Sequence, residues 1–68
     1  MTELTPRERA VLALVAEGLT NVQIGRRLYI SAQTVKGHIS SLLSKVGVTS
    51  RVQLALRAEQ ILNEETSE

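Results

Sequence analysis

Four closely spaced helix-start signals constrain most strongly what this 68-residue chain can fold into. Each is a Ser or Thr whose side chain can cap the first turn of a helix. At three of them a Glu or Gln follows three residues later, which completes a capping box. The four candidates are Thr5, Thr20, Ser31 and Ser50. The sequence therefore predicts four short helices that fill the chain.

Other residues indicate where these helices begin and end. Pro6 suits the first position of a helix, and Gly18 and Gly47 are suited to the left-handed conformation that stops one. We predict an all-α, four-helix bundle with helices at about 6–17, 20–28, 31–46 and 50–62. We expect a single domain over residues 1–68, with the acidic tail 63–68 frayed.

Charge is unevenly distributed along the chain. No Asp or Glu occurs from Gly18 to Ala58, although the net charge of the whole chain is only +1. The cations within that stretch are Arg26, Arg27, Lys36, Lys45, Arg51 and Arg57. This pattern fits either a solvated basic surface or a surface that binds a polyanion.

Catalytic and metal-dependent functions are not indicated. The chain has no Cys, and its single histidine, His38, has no nearby acid to complete a site. We assign His38 a structural or phosphate-contacting role, and we predict no enzyme activity, no metal, no cofactor and no small-molecule ligand. No apolar run is long enough to span a membrane and no signal peptide is recognisable, so we expect a soluble, cytoplasmic protein.

The third predicted helix carries the functional hypothesis. Its apolar positions, from Val35 to Val46, recur at helical spacing and leave an opposite face of small or uncharged residues plus Lys36. That face comprises Gln33, Lys36, Gly37, Ser40, Ser41 and Ser44. A helix fits the major groove of DNA when its exposed side is slim and not acidic, because phosphates line both walls of the groove. We therefore predict that this helix binds double-stranded DNA.

An ordered series of short motifs resembles the LuxR-type helix-turn-helix domain, in particular the output domain of response regulators of the NarL/FixJ kind. The motifs run through Leu4 to Glu8, Gly18 to Asn21, Ile24, Leu28, Ile30-Ser31, Thr34 to Lys36, His38-Ile39, Leu43 and Lys45 to Val48. The resemblance covers about residues 3–60 and implies a transcription regulator whose third helix reads DNA. It also implies a homodimer, formed through helix four, on an inverted repeat.

Candidate DNA contacts follow from the resemblance and from the exposed face together. The base-facing set is Gln33, Lys36, Gly37 and Ser40. The resemblance places Thr34 at a phosphate position, and flanking hydroxyls and cations complete the predicted phosphate set: Thr20, Arg27, Ser31, Thr34, Lys45 and Arg51. Because Gly37 occupies a base-facing position where a larger side chain would add contacts, we expect modest discrimination between bases.

Helix four has apolar residues over more than half of its circumference, so one face cannot bury them all. We predict a homodimer interface made by Leu54, Ala58, Ile61 and Leu62. The remaining apolar residues, Val52, Ala55 and Leu56, are then expected nearer the domain core.

Gly25 departs from the family pattern, in which alanine is more common at this position of helix two. We interpret it as a close approach to helix three. By helix propensity alone, Gly25→Ala would stabilise the fold by about 1 kcal/mol.

Two alternative functions remain open at this point. One is a module like region 4 of a sigma factor, which binds promoter DNA and a polymerase subunit. The other is a helical protein-interaction module without DNA binding. RNA polymerase is a candidate partner under the leading hypothesis as well.

Overall fold

The computed structural model describes residues 3–66, with side chains described as far as Glu64. The described residues form four α-helices and no strand, which confirms the predicted fold class. The helices are α1 (Pro6–Ala16), α2 (Asn21–Leu28), α3 (Ala32–Val46) and α4 (Arg51–Thr66). None of these four helices has the length and hydropathy needed to cross a membrane.

The predicted caps explain where the first helices begin. Thr5 Oγ1 accepts a hydrogen bond from the Glu8 amide at 3.0 Å, and Glu8 Oε1 accepts one from the Thr5 amide at 2.9 Å. Thr20 and Gln23 form the same reciprocal pair at the start of α2. These two predicted capping boxes are therefore confirmed.

The third predicted capping box, at the start of α4, is only half formed. Ser50 Oγ accepts from the Gln53 amide at 3.1 Å, as predicted. Gln53 Oε1, however, accepts from the amide of Thr49 at 3.0 Å. The glutamine therefore satisfies the backbone donor one residue earlier than the motif predicts.

Left-handed residues end the first three helices or follow directly on their ends. Gly18 (φ 86°) and Gly47 (φ 83°) adopt this conformation, as the sequence predicts. Tyr29 ends α2 with φ 61°, although a side chain disfavours this region. The α2–α3 connection is thus a tight turn that begins at a strained, 94% exposed tyrosine.

The far end of α4 differs from the prediction. Residues 63–66 continue the helix rather than fray, and residues 67 and 68 of the same tail lie outside the described residues. Ile61 is only 2% exposed, so tertiary packing holds the helix one turn before its end. Each further residue then adds a backbone hydrogen bond to a helix that is already formed.

The core is aliphatic, and α1 lies at its centre. α1 packs against α4 and α3, and α2 packs mainly against α3. The buried apolar side chains come from all four helices and from the segment before α1: Leu4, Val11, Leu12, Leu14, Val15, Ile24, Val35, Ile39, Leu42, Leu54, Ala58 and Ile61.

The predicted division of α4 between core and dimer interface is wrong. Leu54 and Ala58 are completely buried, Ile61 is nearly so, and Leu62 packs partly buried against the core. Conversely, Val52 is 68% and Leu56 is 80% exposed, and of the three residues predicted nearer the core only Ala55 packs against it, half-buried. Two apolar stripes run along this helix, and α1 covers the stripe that begins at Leu54. Which of the two stripes is buried depends on the packing of α1 and not on the sequence of α4 alone.

Candidate nucleic-acid interface

The buried stripe of α3 fixes which of its faces meets solvent. Val35 and Leu42 are fully buried, and Ile39 is 7% exposed. All four residues of the predicted base-facing set are exposed on the opposite side: Gln33, Lys36, Gly37 and Ser40. The structure thus brings this set together on one open surface, which we call the α3 outer face.

The α3 outer face is slim along its middle. Apart from its chain neighbours and the backbone of its own helix, a Cβ atom built on Gly37 would meet no atom within 4 Å, so no other part of the described chain covers this position. Ser40 and Ser44 extend the exposed face towards the C-terminal end of the helix. Ser41 does not belong to it, because this residue is half-buried and its hydroxyl donates to Glu8.

Two hydroxyls lie at the N-terminus of α3. Ser31 Oγ accepts from the Thr34 amide at 3.0 Å and donates to Thr34 Oγ1 at 2.9 Å. The Ser31 hydroxyl hydrogen is therefore used inside the cap, whereas Thr34 retains its own for an outside acceptor. Both residues are exposed, beside amide groups that favour an anion.

The predicted phosphate contacts on α2 are also open to solvent. Thr20 is the exposed N-cap of α2, and its oxygen is occupied by the Gln23 amide. Arg27, near the C-terminal end of α2, is exposed. Their role on DNA stays a prediction.

Gly25 lies where α2 meets the turn that leads into α3. A Cβ atom there would lie 2.5 Å from the Ile30 carbonyl oxygen and 3.4 Å from the Ala32 amide nitrogen. The Ile30 amide also donates to the Gly25 carbonyl at 2.9 Å. The predicted close approach is confirmed, and Gly25→Ala would require the turn to move, contrary to the stabilisation that propensity alone predicts.

Lys45, predicted to contact phosphate, is held inside the fold instead. Its Nζ lies 2.8 Å from Glu8 Oε1, and the side chain is 25% exposed. Because the ammonium group is paired with a buried carboxylate, we withdraw Lys45 from the phosphate set. Sequence spacing could not reveal this pair, since 37 residues separate its members.

Glu8 is the buried partner of this pair, and sequence reasoning assigned it only a capping role. It is 5% exposed, and its carboxylate accepts from the Thr5 amide, the Ser41 hydroxyl and Lys45. Burial raises the pKa of the Glu8 carboxyl, but these hydrogen bonds and the Lys45 charge outweigh it and lower the pKa to about 2. Glu8 is therefore an ionised link between α1 and α3.

Arg51 is likewise used within the chain. Its guanidinium donates to Asn21 Oδ1 at 2.6 Å and to the Leu19 carbonyl at 2.7 Å. These bonds attach the start of α4 to the segment before α2. We therefore withdraw Arg51 from the phosphate set as well, because these two bonds hold its guanidinium against the chain.

The basic stretch thus separates into two groups. Lys45 and Arg51 are half-buried and internally bonded, whereas the other four cations are exposed. His38 is half-buried, and the described residues contain no cluster of side chains that could hold a metal ion. What remains at the surface is an acid-free α3 outer face that carries Lys36, together with exposed arginines on α2 and α4.

A helix, a tight turn and a second helix with an exposed, acid-free face define a helix-turn-helix DNA-binding domain. The sequence model described as "Bacterial regulatory proteins, luxR family" matches residues 2–58. The chain belongs to this family. Membership confirms the resemblance seen in the motifs and the function of DNA-binding transcription regulation. Because the family consists of DNA-binding regulators, it also supports the prediction that the domain is not an enzyme.

Three relatives illustrate the similarity. The transcriptional regulatory protein LiaR of Bacillus subtilis is 49% identical over 57 residues, which cover 84% of this chain and 27% of LiaR. The nitrate/nitrite response regulator protein NarL of Escherichia coli is 47% identical over 60 residues, covering 88% of this chain and 28% of NarL. The DNA-binding transcriptional activator DevR/DosR of Mycobacterium tuberculosis is 43% identical over 61 residues, covering 90% and 28%. The chain thus spans little more than a quarter of these relatives.

Proposed function

We propose that this domain regulates transcription by inserting α3 into the major groove of duplex DNA. The observation that supports this proposal is the exposed, acid-free α3 outer face. The buried apolar stripe on the opposite side of α3 keeps this face directed towards solvent. Gln33 and Lys36 would provide most of the direct contacts with base edges. Gly37 and Ser40 would allow the helix backbone to approach the groove floor.

Phosphate contacts would come from the two sides of this helix. Thr34 and the N-terminal amides of α3 suit one phosphate strand, and the exposed Ser31, whose hydroxyl hydrogen is used within the cap, would lie beside that strand. Arg27 and Thr20 on α2 would contact the backbone as α2 crosses it. With about two or three phosphates neutralised per protomer, a dimer would give a slope of log K against log salt of about −4 to −5.

We further propose a homodimer, formed through α4, on an inverted repeat. The exposed apolar residues of α4, Val52 and Leu56, support this, because they lie on one side of a helix whose opposite side is buried. A two-fold dimer would place its recognition helices about 34 Å apart, one turn of DNA.

The role of a longer protein containing this domain is also part of the proposal. The relatives named as a response regulator and as a transcriptional activator support an output domain that acts in the cytoplasm under an upstream signal. An activator would have RNA polymerase as its protein partner.

Lys36→Ala tests the proposal directly. Because Lys36 is exposed, the free energy of unfolding should change by less than about 0.5 kcal/mol. Affinity for a DNA site selected from a random pool should fall about tenfold or more, since a base contact is lost. Fluorescence anisotropy over a salt series measures both affinity and slope.

Arg7→Ala is the matched control, since it removes one exposed positive charge from α1. Its affinity should change less than threefold if α3 is the reading helix. Equal losses in both variants would indicate non-specific attraction only, and an absence of binding by the parent at low salt would favour the protein-interaction alternative.

A further inference from the structure

The carboxylate of Glu8, a residue of α1, is hydrogen-bonded to two residues of α3. Oε1 accepts from the Thr5 amide at 2.9 Å and from Lys45 Nζ at 2.8 Å, while Oε2 accepts from Ser41 Oγ at 2.8 Å. The Thr5 bond anchors this carboxylate to the first turn of α1. The other two bonds reach two residues of α3, and we call the three-residue group Glu8, Ser41 and Lys45 the α1–α3 clamp.

The spacing of the two α3 residues determines which motions of α3 the clamp restrains. Ser41 and Lys45 are one helical turn apart on the same side of α3, so a single carboxylate restrains both rotation about the helix axis and sliding along it. Apolar packing at Ile39 and Leu42 restrains these motions less sharply, since dispersion contacts are not directional.

Small rotations of α3 matter for the α3 outer face. A lysine tip lies about 9 Å from the helix axis, so a rotation of about 20° displaces it by about 3 Å. A displacement of that size is as long as a hydrogen bond and would remove a contact with a base edge. The orientation of Lys36 and Ser40 in the groove therefore depends on whatever fixes this rotation.

We propose that Glu8 is a positioning residue for DNA recognition, and that Lys45 acts on specificity through Glu8 and not through a DNA phosphate. The inference rests on the proposed function, since it assumes that α3 reads DNA. Glu8 is enclosed by the chain, and the clamp leaves no buried described polar side-chain atom without a partner. The carboxylate accepts its hydrogen bonds from α3 and from the α1 cap.

Lys45→Met separates this proposal from a phosphate contact. Loss of positioning should weaken binding to the selected site about tenfold and leave binding to random duplex, and the salt slope, unchanged. A phosphate contact would instead weaken both kinds of binding and reduce the slope by about 0.9 per protomer. That second outcome would overturn the proposal.

Further variants separate positioning from loss of stability. Ser41→Ala removes the other α3 bond of the clamp and keeps the cap, so it should also lower specificity. The double variant Glu8→Gln with Lys45→Met should lose no more specificity than whichever of its two single variants loses more, because both changes break the same link. Gln23→Ala is the matched capping control, because Gln23 occupies the same box position in α2 but is exposed. All binding is measured well below the Tm of each variant.

The possible failures are distinguishable. If the parent shows no preference for any selected site, the proposed function fails and this inference fails with it. If the parent is specific but Gln23→Ala loses as much specificity as Ser41→Ala and Lys45→Met, or these clamp variants lose none, the inference alone is overturned.

Discussion

Glu8 is a charged residue that the chain encloses almost completely, so its ionisation is part of the stability of the fold. Its pKa of about 2 lies below the ordinary 4.5 because Lys45, Ser41 and the Thr5 amide favour the carboxylate despite its burial. A lowered pKa in the folded state means that the stabilisation is complete above about pH 4.5. It is lost as the pH falls through the folded-state pKa near 2, and it amounts to at most about 3 kcal/mol.

Glu8→Gln should therefore remove a pH-dependent part of the stability. At pH 7 the parent should be more stable than the variant, and the difference should shrink steadily between about pH 5 and pH 2 as the parent carboxylate becomes protonated. Urea unfolding followed by circular dichroism at several pH values measures this difference. A difference that stays constant down to pH 2 would contradict the assigned ionic link.

At the scale of elements, the turn between α2 and α3 is built by close backbone contact. Gly25→Val would force a side chain against the Ile30 carbonyl, and we expect a loss of about 2 kcal/mol or more in the free energy of unfolding. Gly37→Val makes the same change at an open helical position, where we expect no loss and a small gain from helix propensity. Equal thermal melting curves for the two variants would show that the turn can move freely.

The same elements show what local sequence can predict. Helix starts and stops depend on contacts within a few residues, so Thr5, Thr20, Gly18 and Gly47 indicated them correctly. Most of the exposed face of α3 was also predictable, because its single apolar stripe fixes the buried side. Ser41 was the exception, since its burial depends on a contact with Glu8 of α1.

Contacts between distant residues were not predictable. Lys45 and Arg51 look like free cations in the sequence, yet their acceptors lie 30 or more residues away. On α4, two apolar stripes compete for the core, and periodicity cannot say which one α1 covers. The phosphate set and the dimer interface were therefore the parts that needed the structure.

At the scale of the whole molecule, two exposed surfaces must work together. The α3 outer face offers few direct base contacts, so specificity has to come largely from two such faces held at a fixed spacing. In the proposed dimer, α4 sets that spacing through Val52 and Leu56. A dimer formed through α4 thus explains both the exposed apolar side chains of α4 and the small number of base contacts that α3 offers.

Matched truncations on α4 test this explanation together with the corrected burial. Leu56→Ala removes an 80% exposed side chain, so the free energy of unfolding should change by less than about 0.5 kcal/mol. Leu54→Ala removes a fully buried one and should cost about 2 to 5 kcal/mol.

Affinity of Leu56→Ala for an inverted repeat should fall about tenfold, because apolar area is lost twice in a symmetric dimer, while affinity for a single half-site stays unchanged. Urea unfolding and anisotropy titrations on both DNAs measure these effects; unchanged affinity for the inverted repeat would exclude Leu56 from the interface, and equal destabilisation by both truncations would contradict its exposure.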